Sequence, residues 1–457
     1  MNNGLSVMLV PLKIQLIILG CSVASQVGCL GRYSKKEYLK SILIYEKEIG
    51  IMGQLDGVKV VELATYIAAP SCARILASYG ADVIKVESPK GDDLRKAQVS
   101  YFYPAETDKA SYGMDVQNAG KKGLAINLKD PAGMEAFLKL LETADVFVTN
   151  NRVKALVKMG LDYETLHKKF PRLIHASILG YGELGPLKDK PGFDYTAYFS
   201  RGGIANSLME KGTSPAIPAS GFGDNYAGIA LSSGVCAALY RQQKTGLGER
   251  VTVSLLDTAI YGLNWLLGAS NFGSEMPSTR KKTNSAVCTT YKTKDGRWIQ
   301  LALIQYDNWF PKFANLLGAP QLLTDERFST YAAMLNNITA LVEEIEPLFA
   351  QKTMAEWDKL LTEADLPFEI VQTMNEIAID PQNWANDSIF KKECDGKDIY
   401  YIRTPIKFTE SPMLKEEEAC HGRSPRLGED SSEILKGLGY DDATIADYLA
   451  KGIIVQK

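Results

Sequence analysis

At 457 residues the chain is long enough for more than one hydrophobic core, and its 46% hydrophobic and 23% charged residues are ordinary for a globular protein. A net charge of −3 offers no basic field for a nucleic-acid backbone, although a local basic pocket for a phosphorylated ligand is compatible with it. Seven scattered cysteines without a CxxC pair, and only three histidines, argue against a disulfide scaffold and a Cys/His metal centre. A reduced, cytoplasmic setting with no metal is the expectation.

At the N-terminus, Lys13, the apolar run 14–19 and Gly20-Cys21 resemble a short lipoprotein signal. Six apolar residues fall far short of the about 20 that span a bilayer, so no membrane association is expected. Residues 1–51 are therefore a doubtful extension, with Met52 placed as a start just before the first convincing strand. The β-branched run 58–64 predicts a buried strand, 71–78 a helix stopped by Gly80, and 83–86 the next strand: a β-α-β unit. Strands at 124–128, 146–149 and 173–177 follow, with a helix at 131–143 that Pro131 opens. This is an α/β pattern whose ligands collect outside the carboxyl ends of the strands. No GxGxxG follows the first strand, so a nicotinamide or flavin dinucleotide site is not indicated.

Glycines cluster between Gly180 and Gly223 and predict irregular backbone wrapped around a ligand. A helix with many small residues follows at 226–242, then a strand at 250–254 and a largely buried helix at 255–270. Polarity rises near 275–285 without an apolar pattern. Beyond it, a strand at 298–304 and helices at 309–317 and 339–351 suggest a smaller mixed domain. The expected division is a large Rossmann-like domain at 52–275, a smaller mixed α/β domain at 276–403, and a segment at 404–457 that returns to the large domain.

Asp224, in Ser220-Gly221-Phe222-Gly223-Asp224-Asn225-Tyr226, is the foremost candidate for chemistry. A helix N-cap and a carboxylate nucleophile for an activated carbonyl both fit it, and amides at a helix start also favour a nearby anion. Asp194, in Gly192-Phe193-Asp194-Tyr195, fits a turn or a site. Lys85, Lys90 and Arg95 near the end of the second strand, and Arg152, Lys154 and Lys158 after another, fit either phosphate contacts or a solvated face. No GxSxG elbow or histidine triad signature stands in the chain. Cys72 and Cys236 fit inert core thiols, and Cys420-His421 supplies two metal ligands at most. Tyr198, Phe199, Trp265, Tyr306 and Trp309 fit either an acyl pocket or core.

Several blocks, in order, carry a resemblance: Gly57-Val58-Lys59-Val60-Val61-Glu62-Leu63, Gly80-Ala81-Asp82-Val83-Ile84-Lys85-Val86-Glu87, Gly91-Asp92, Gly192-Phe193-Asp194-Tyr195, Gly223-Asp224 and Lys244-Thr245-Gly246-Leu247-Gly248-Glu249-Arg250-Val251. From about residue 55 to the end the chain resembles the family III coenzyme A transferases. It is most similar to the branch that acts on 2-hydroxyisocaproate or phenyllactate, with Asn225 standing where that branch has histidine. The resemblance implies a Rossmann-like large domain with a smaller domain, in an interlocked homodimer. It implies no tightly bound cofactor, with a CoA thioester as substrate. It makes Asp224 the nucleophile and Asp194 a second carboxylate, puts Ile67 and Ala68 beside the thioester, and directs Lys129, Asn150 and Lys158 toward the adenosine and phosphates of CoA, to which Lys85 is added from its strand-end position. The implied reaction moves CoA from isocaprenoyl-CoA or isocaproyl-CoA to (R)-2-hydroxyisocaproate in leucine fermentation, feeding a 2-hydroxyacyl-CoA dehydratase. The alternatives are a cinnamoyl-CoA:phenyllactate exchange, a 2-methylacyl-CoA racemase and a non-enzymatic CoA-binding protein.

Overall fold

The sequence Lys59–Leu63 (β1) sends successive side chains to opposite faces of a sheet, and both faces are covered. Val60 enters a core with Cys72, Val146, Ile174 and Leu231, whereas Val61 enters another with Phe137, Phe147 and Leu435. The same alternation divides Val146 and Val148 from Phe147 on β4 (Val146–Thr149). Each fully buried side chain of this size contributes about 1.5–3 kcal/mol, which is why the β-branched runs were legible as strands. The computed structural model describes residues 53–96, 112–282, 284–394, 397–409, 411 and 422–457. The N-terminal extension, Met52 and Cys420-His421 lie outside the described residues.

In chain order, β1 is followed by α1 (Ala68–Ser78), β2 (Asp82–Glu87), α2 (Tyr112–Asn118), β3 (Lys122–Ile126), α3 (Pro131–Glu142), β4, α4 (Val153–Met159) and β5 (Ile174–Leu179). A π-helical turn at Asp194–Arg201 precedes the long α5 (Phe222–Thr245), and β6 (Arg250–Ser254) completes the parallel part of the sheet. The spatial order is β12-β3-β2-β1-β4-β5-β6, all neighbours parallel except β12 (Ile454–Val455), which runs antiparallel to β3. Order 3-2-1-4-5-6 reverses direction between β1 and β4, so the crevice for a ligand opens outside their carboxyl ends. α1 and α5 pack closely on one face. A Cβ on Gly228 would stand 2.6 Å from Ser71 Oγ, so only a glycine admits this approach.

After β6 the expected buried helix is two helices, α6 (Leu255–Gly262) and α7 (Asn264–Ser270), broken at Leu263. Tyr261 and Trp265 are 81% and 88% exposed, so the apolar face that suggested burial has no cover among the described residues. A second, antiparallel sheet follows: β7 (Thr290–Lys292), β8 (Trp298–Leu301) and β9 (Phe368–Ile370). With α8 (Tyr306–Leu316), α9 (Ile338–Phe349) and α10 (Met354–Glu363) it encloses its own core of Ile299, Phe313, Phe349 and Trp357. The hairpin β10–β11 (Ile389–Cys394, Lys397–Ile402) leads on, and the chain ends at the first sheet. There α11 (Ser431–Gly437) packs, and Asp430 accepts a 2.7 Å hydrogen bond from the Gly123 amide of β3. No helix among the described residues is long and apolar enough to cross a membrane.

Candidate active site

Two loops meet at the switch point. Asn150, at the end of β4, accepts from the Thr65 amide at 3.1 Å and donates to the Thr65 carbonyl at 2.7 Å. Next in the chain, Tyr66 takes a positive φ of 61°, a conformation that costs a non-glycine residue free energy. Asp92 holds it there by accepting from the Tyr66 amide at 3.1 Å. Ile67 and Ala68 then open α1 beneath the start of α5.

The start of α5 differs from the sequence expectation in an informative way. Asp224 is neither ahead of the helix nor its cap: Gly221, at φ 75°, is the N-cap, and Asp224 occupies the third helical position. Capping falls to a remote residue. Asp194 Oδ1 accepts from the Gly223 amide at 3.1 Å, and the Gly221 and Phe222 amides also favour its charge. Gly223 must lack a side chain, because a Cβ there would lie 2.2 Å from Tyr198 Cγ and 2.6 Å from Asp194 Oδ1. Asp224 is thereby relieved of a structural task. Half-buried, its carboxylate has no hydrogen bond or ion pair to another described residue.

The electrostatics follow from that arrangement. Burial, with the neighbouring Asp194 charge added, pushes the Asp224 carboxyl up to about 7. Burial likewise pushes Asp194 up to about 6, against the three amides that hold it down. Its Oδ2 is buried without a hydrogen-bond partner among the described residues. Two carboxylates thus share a site with no cation from the described residues paired to them.

A few residues away the opposite solution is built. Glu62 on β1 is fully buried between two ammonium groups, Lys85 Nζ at 3.0 Å and Lys121 Nζ at 2.6 Å. Burial alone would raise Glu62, but the two lysines outweigh it and hold the acid ionised below its ordinary range. Lys85 also bonds the Ala64 carbonyl at 3.2 Å and pairs with Asp92 at 3.0 Å. Burial opposes its charge, yet Glu62 and Asp92 together raise it above the ordinary lysine range. Lys121 serves the Pro70 and Gln117 carbonyls at 2.9 and 2.8 Å, and burial pushes it down to about 8.

Of the residues the sequence singles out, Ile67, Ala68, Asn150, Asp194 and Asp224 come together at this crevice. Lys85 does not join them as a ligand contact. Its ammonium group hydrogen-bonds Glu62 and the Ala64 carbonyl and is ion-paired with Asp92, so it braces the loop instead. Lys129 and Lys158 are exposed, the first beyond β3 and the second on α4, neither touching Asp224. Arg95 is paired with Glu87 at 2.6 Å. Tyr198 and Phe199 pack under α5, whereas Tyr306 and Trp309 belong to the second core and Trp265 faces outward. Sequence reasoning missed Glu62, Lys121 and Gln117 as site-building residues. The available signal was a charge inside an apolar strand, Glu62 among Val60, Val61 and Leu63. Among the described residues no group of three or more His, Cys, Asp or Glu could hold a metal ion.

Comparison with known proteins agrees with this architecture. The chain is 49% identical to an (R)-2-hydroxy-4-methylpentanoate CoA-transferase of Clostridioides difficile over 86% of its own length and 98% of the relative's. It is 41% identical to a cinnamoyl-CoA:phenyllactate CoA-transferase of Clostridium sporogenes, over 88% and 98% of the two chains. The crystal structure of a CAIB/BAIF family protein from Brucella suis superposes with a TM-score of 0.73 at 31% identity, covering 84% of this chain and 99% of that one. The model of CoA-transferase family III matches residues 55–431, and the chain belongs to that family.

Proposed function

We propose that this enzyme transfers CoA from an acyl-CoA donor, isocaprenoyl-CoA or isocaproyl-CoA, to (R)-2-hydroxyisocaproate, with Asp224 as the covalent nucleophile. The observation that carries the proposal is the Asp224 carboxylate itself, free of a capping role and unpaired with any cation among the described residues, at the start of α5 where the two switch-point loops meet. The acid is chosen because the 49% identical relative is named for the same compound. Phenyllactate with a cinnamoyl-type donor is the second acceptor to consider, on the 41% relative.

In this mechanism an Asp224 oxygen attacks the donor thioester carbonyl, the C–S bond breaks, and a mixed anhydride and CoA thiolate result. The thiolate attacks the aspartyl carbonyl, expelling the donor carboxylate and leaving an aspartyl-CoA thioester. The acceptor carboxylate repeats the exchange, and thiolate attack on the new acyl carbonyl returns Asp224 as a carboxylate. Each intermediate hydrolyses readily, so the site must exclude water. Ile67 and Ala68 border the thioester in this scheme, and the exposed Lys129 and Lys158 reach the phosphates. Asn150 contributes by fixing the Thr65 loop.

A homodimer in the cytoplasm, linked functionally to a 2-hydroxyacyl-CoA dehydratase in leucine fermentation, completes the proposal. What supports the dimer is the uncovered apolar face of Tyr261, Trp265, Leu267 and Phe272. The test is an exchange assay in which isocaproyl-CoA meets 2-hydroxyisocaproate or phenyllactate and new thioesters are followed by mass. Exchange that disappears in Asp224→Ala is expected. A folded, CoA-binding protein that exchanges with neither acid, but incorporates solvent deuterium at the α-carbon, would overturn it in favour of a racemase.

A further inference from the structure

Beside the nucleophile lies a pair of neutral amides that the transfer chemistry does not use. Gln117, on the last turn of α2, is only 5% exposed, and its Nε2 donates to Asn225 Oδ1 at 3.3 Å. Its other side-chain polar atom, Oε1, is buried with no hydrogen-bond partner among the described residues. An interior amide left half unsatisfied is uncommon and unfavourable, and an apolar side chain would fill the same space without that defect. The single hydrogen bond that the Gln117 side chain makes to another described residue is therefore the reason for a polar group here. Its base is rigid, because the Gln117 carbonyl accepts from buried Lys121 at 2.8 Å.

That bond fixes the residue after Asp224. With Asn225 Oδ1 held by Gln117, Nδ2 faces the other way. A Cβ on Gly221 would lie 2.9 Å from Ile67 Cδ1 and 3.8 Å from Asn225 Nδ2, so both side chains converge over Gly221. Asn225 is half-buried, and its Nδ2 has no hydrogen bond to another described residue. A fixed, uncharged donor thus stands one residue from the carboxylate and next to Ile67.

We infer that Asn225 Nδ2 donates to the 2-hydroxyl of the acyl group, and that Gln117 is a positioning residue that orients it. This rests on the proposed transfer to 2-hydroxy acids and adds the residues that select the hydroxyl. A donor built for a substrate hydroxyl discriminates because the deoxy analogue leaves it unpaired.

The test compares two acceptors of one shape, (R)-2-hydroxyisocaproate and deuterium-labelled isocaproate, with isocaproyl-CoA as donor and product thioesters resolved by mass. Wild type, Asn225→Ala and Gln117→Leu are measured. The expected result is a fall of at least about tenfold in the ratio of kcat/KM for hydroxy over deoxy acid in each variant. In the double variant the ratio falls no further than in the single ones, since both act through one contact. An unchanged ratio, or equal losses on both acids, overturns the inference. Should Gln117→Leu fail to fold, the half-exposed Asn225→Ala decides alone. Wild type that transfers CoA to neither acid instead refutes the transferase proposal on which this one stands.

Discussion

Glu62 and Asp224 both adjoin the segment 64–70, yet the chain treats their charges in opposite ways. Glu62 is fully buried, and two lysines, themselves shared with Asp92 and three backbone carbonyls, neutralise it. Asp224 is less buried, but the charge that acts on it among the described residues is another carboxylate, Asp194. The first cluster is an ion lattice that holds loop 64–67 and the ends of α1 and α2 in place. The second is an acid pair held at a helix start whose amides serve Asp194. A structural carboxylate is paired with cations, while a nucleophile must keep its lone pairs available. Setting both against the segment 64–70 lets the stable cluster carry the geometry that the unstable one needs.

Exchanging charge for amide at each position should break the comparison in opposite directions. Asp224→Asn removes the attacking oxygen while preserving shape, so CoA exchange falls by more than about a thousandfold, with a thermal midpoint no lower than wild type. Exchange within tenfold of wild type would mean that the unpaired carboxylate has no chemical role. Glu62→Gln does the reverse. It leaves Lys85 and Lys121 facing each other in the interior, at a cost of about 3–5 kcal/mol in urea unfolding, whatever activity the remaining folded protein retains. A loss under about 1 kcal/mol would show that the lattice does not brace loop 64–67. Gly223→Ala is the milder probe: a methyl 2.2 Å from Tyr198 Cγ forces α5 away from Asp194. It should cost about 1–3 kcal/mol and slow exchange beyond the loss in folded fraction.

The sheet was readable from sequence because β1, β4 and β5 are covered on both faces and therefore appear as β-branched runs. The start of α5 was not. Glycines at 221 and 223 are poor helix formers, and the first turn exists only because Asp194, 29 residues earlier, caps it and Tyr198 packs against it. Local pattern placed the helix after Asp224 for that reason. Asp224 itself was legible through its motif, whereas the partners that define its surroundings were not. Lys121 meets Glu62 across 59 residues, and Gln117 meets Asn225 across 108, with no periodicity to announce either pair. The helix pair α6 and α7 misled in the other direction, since an apolar stretch suggests burial that the described residues do not supply.

The subtlest consequence of the contrast is its pH dependence. Asp194 and Asp224 are pushed up to about 6 and about 7 in the folded chain, from about 3.9 when unfolded. Between roughly pH 4 and pH 7 the folded state therefore holds protons that the unfolded state has lost. Stability from this pair falls as pH rises through that window and is flat above it. Glu62 has the opposite sign, since its lowered value adds stability that is present above the ordinary carboxylate range and lost only in stronger acid. Asp224→Asn should consequently be more stable than wild type at pH 8, by about 1–2 kcal/mol once partial exposure is discounted, and the advantage should shrink toward pH 4. Activity runs the other way: exchange requires ionised Asp224, so kcat/KM climbs with pH along a limb near 7. Asp194→Asn removes the repelling charge and should move that limb lower. A stability difference that does not vary between pH 4 and pH 8 would show that the two carboxylates are not an uncompensated pair, and that the amides at the start of α5 already balance them.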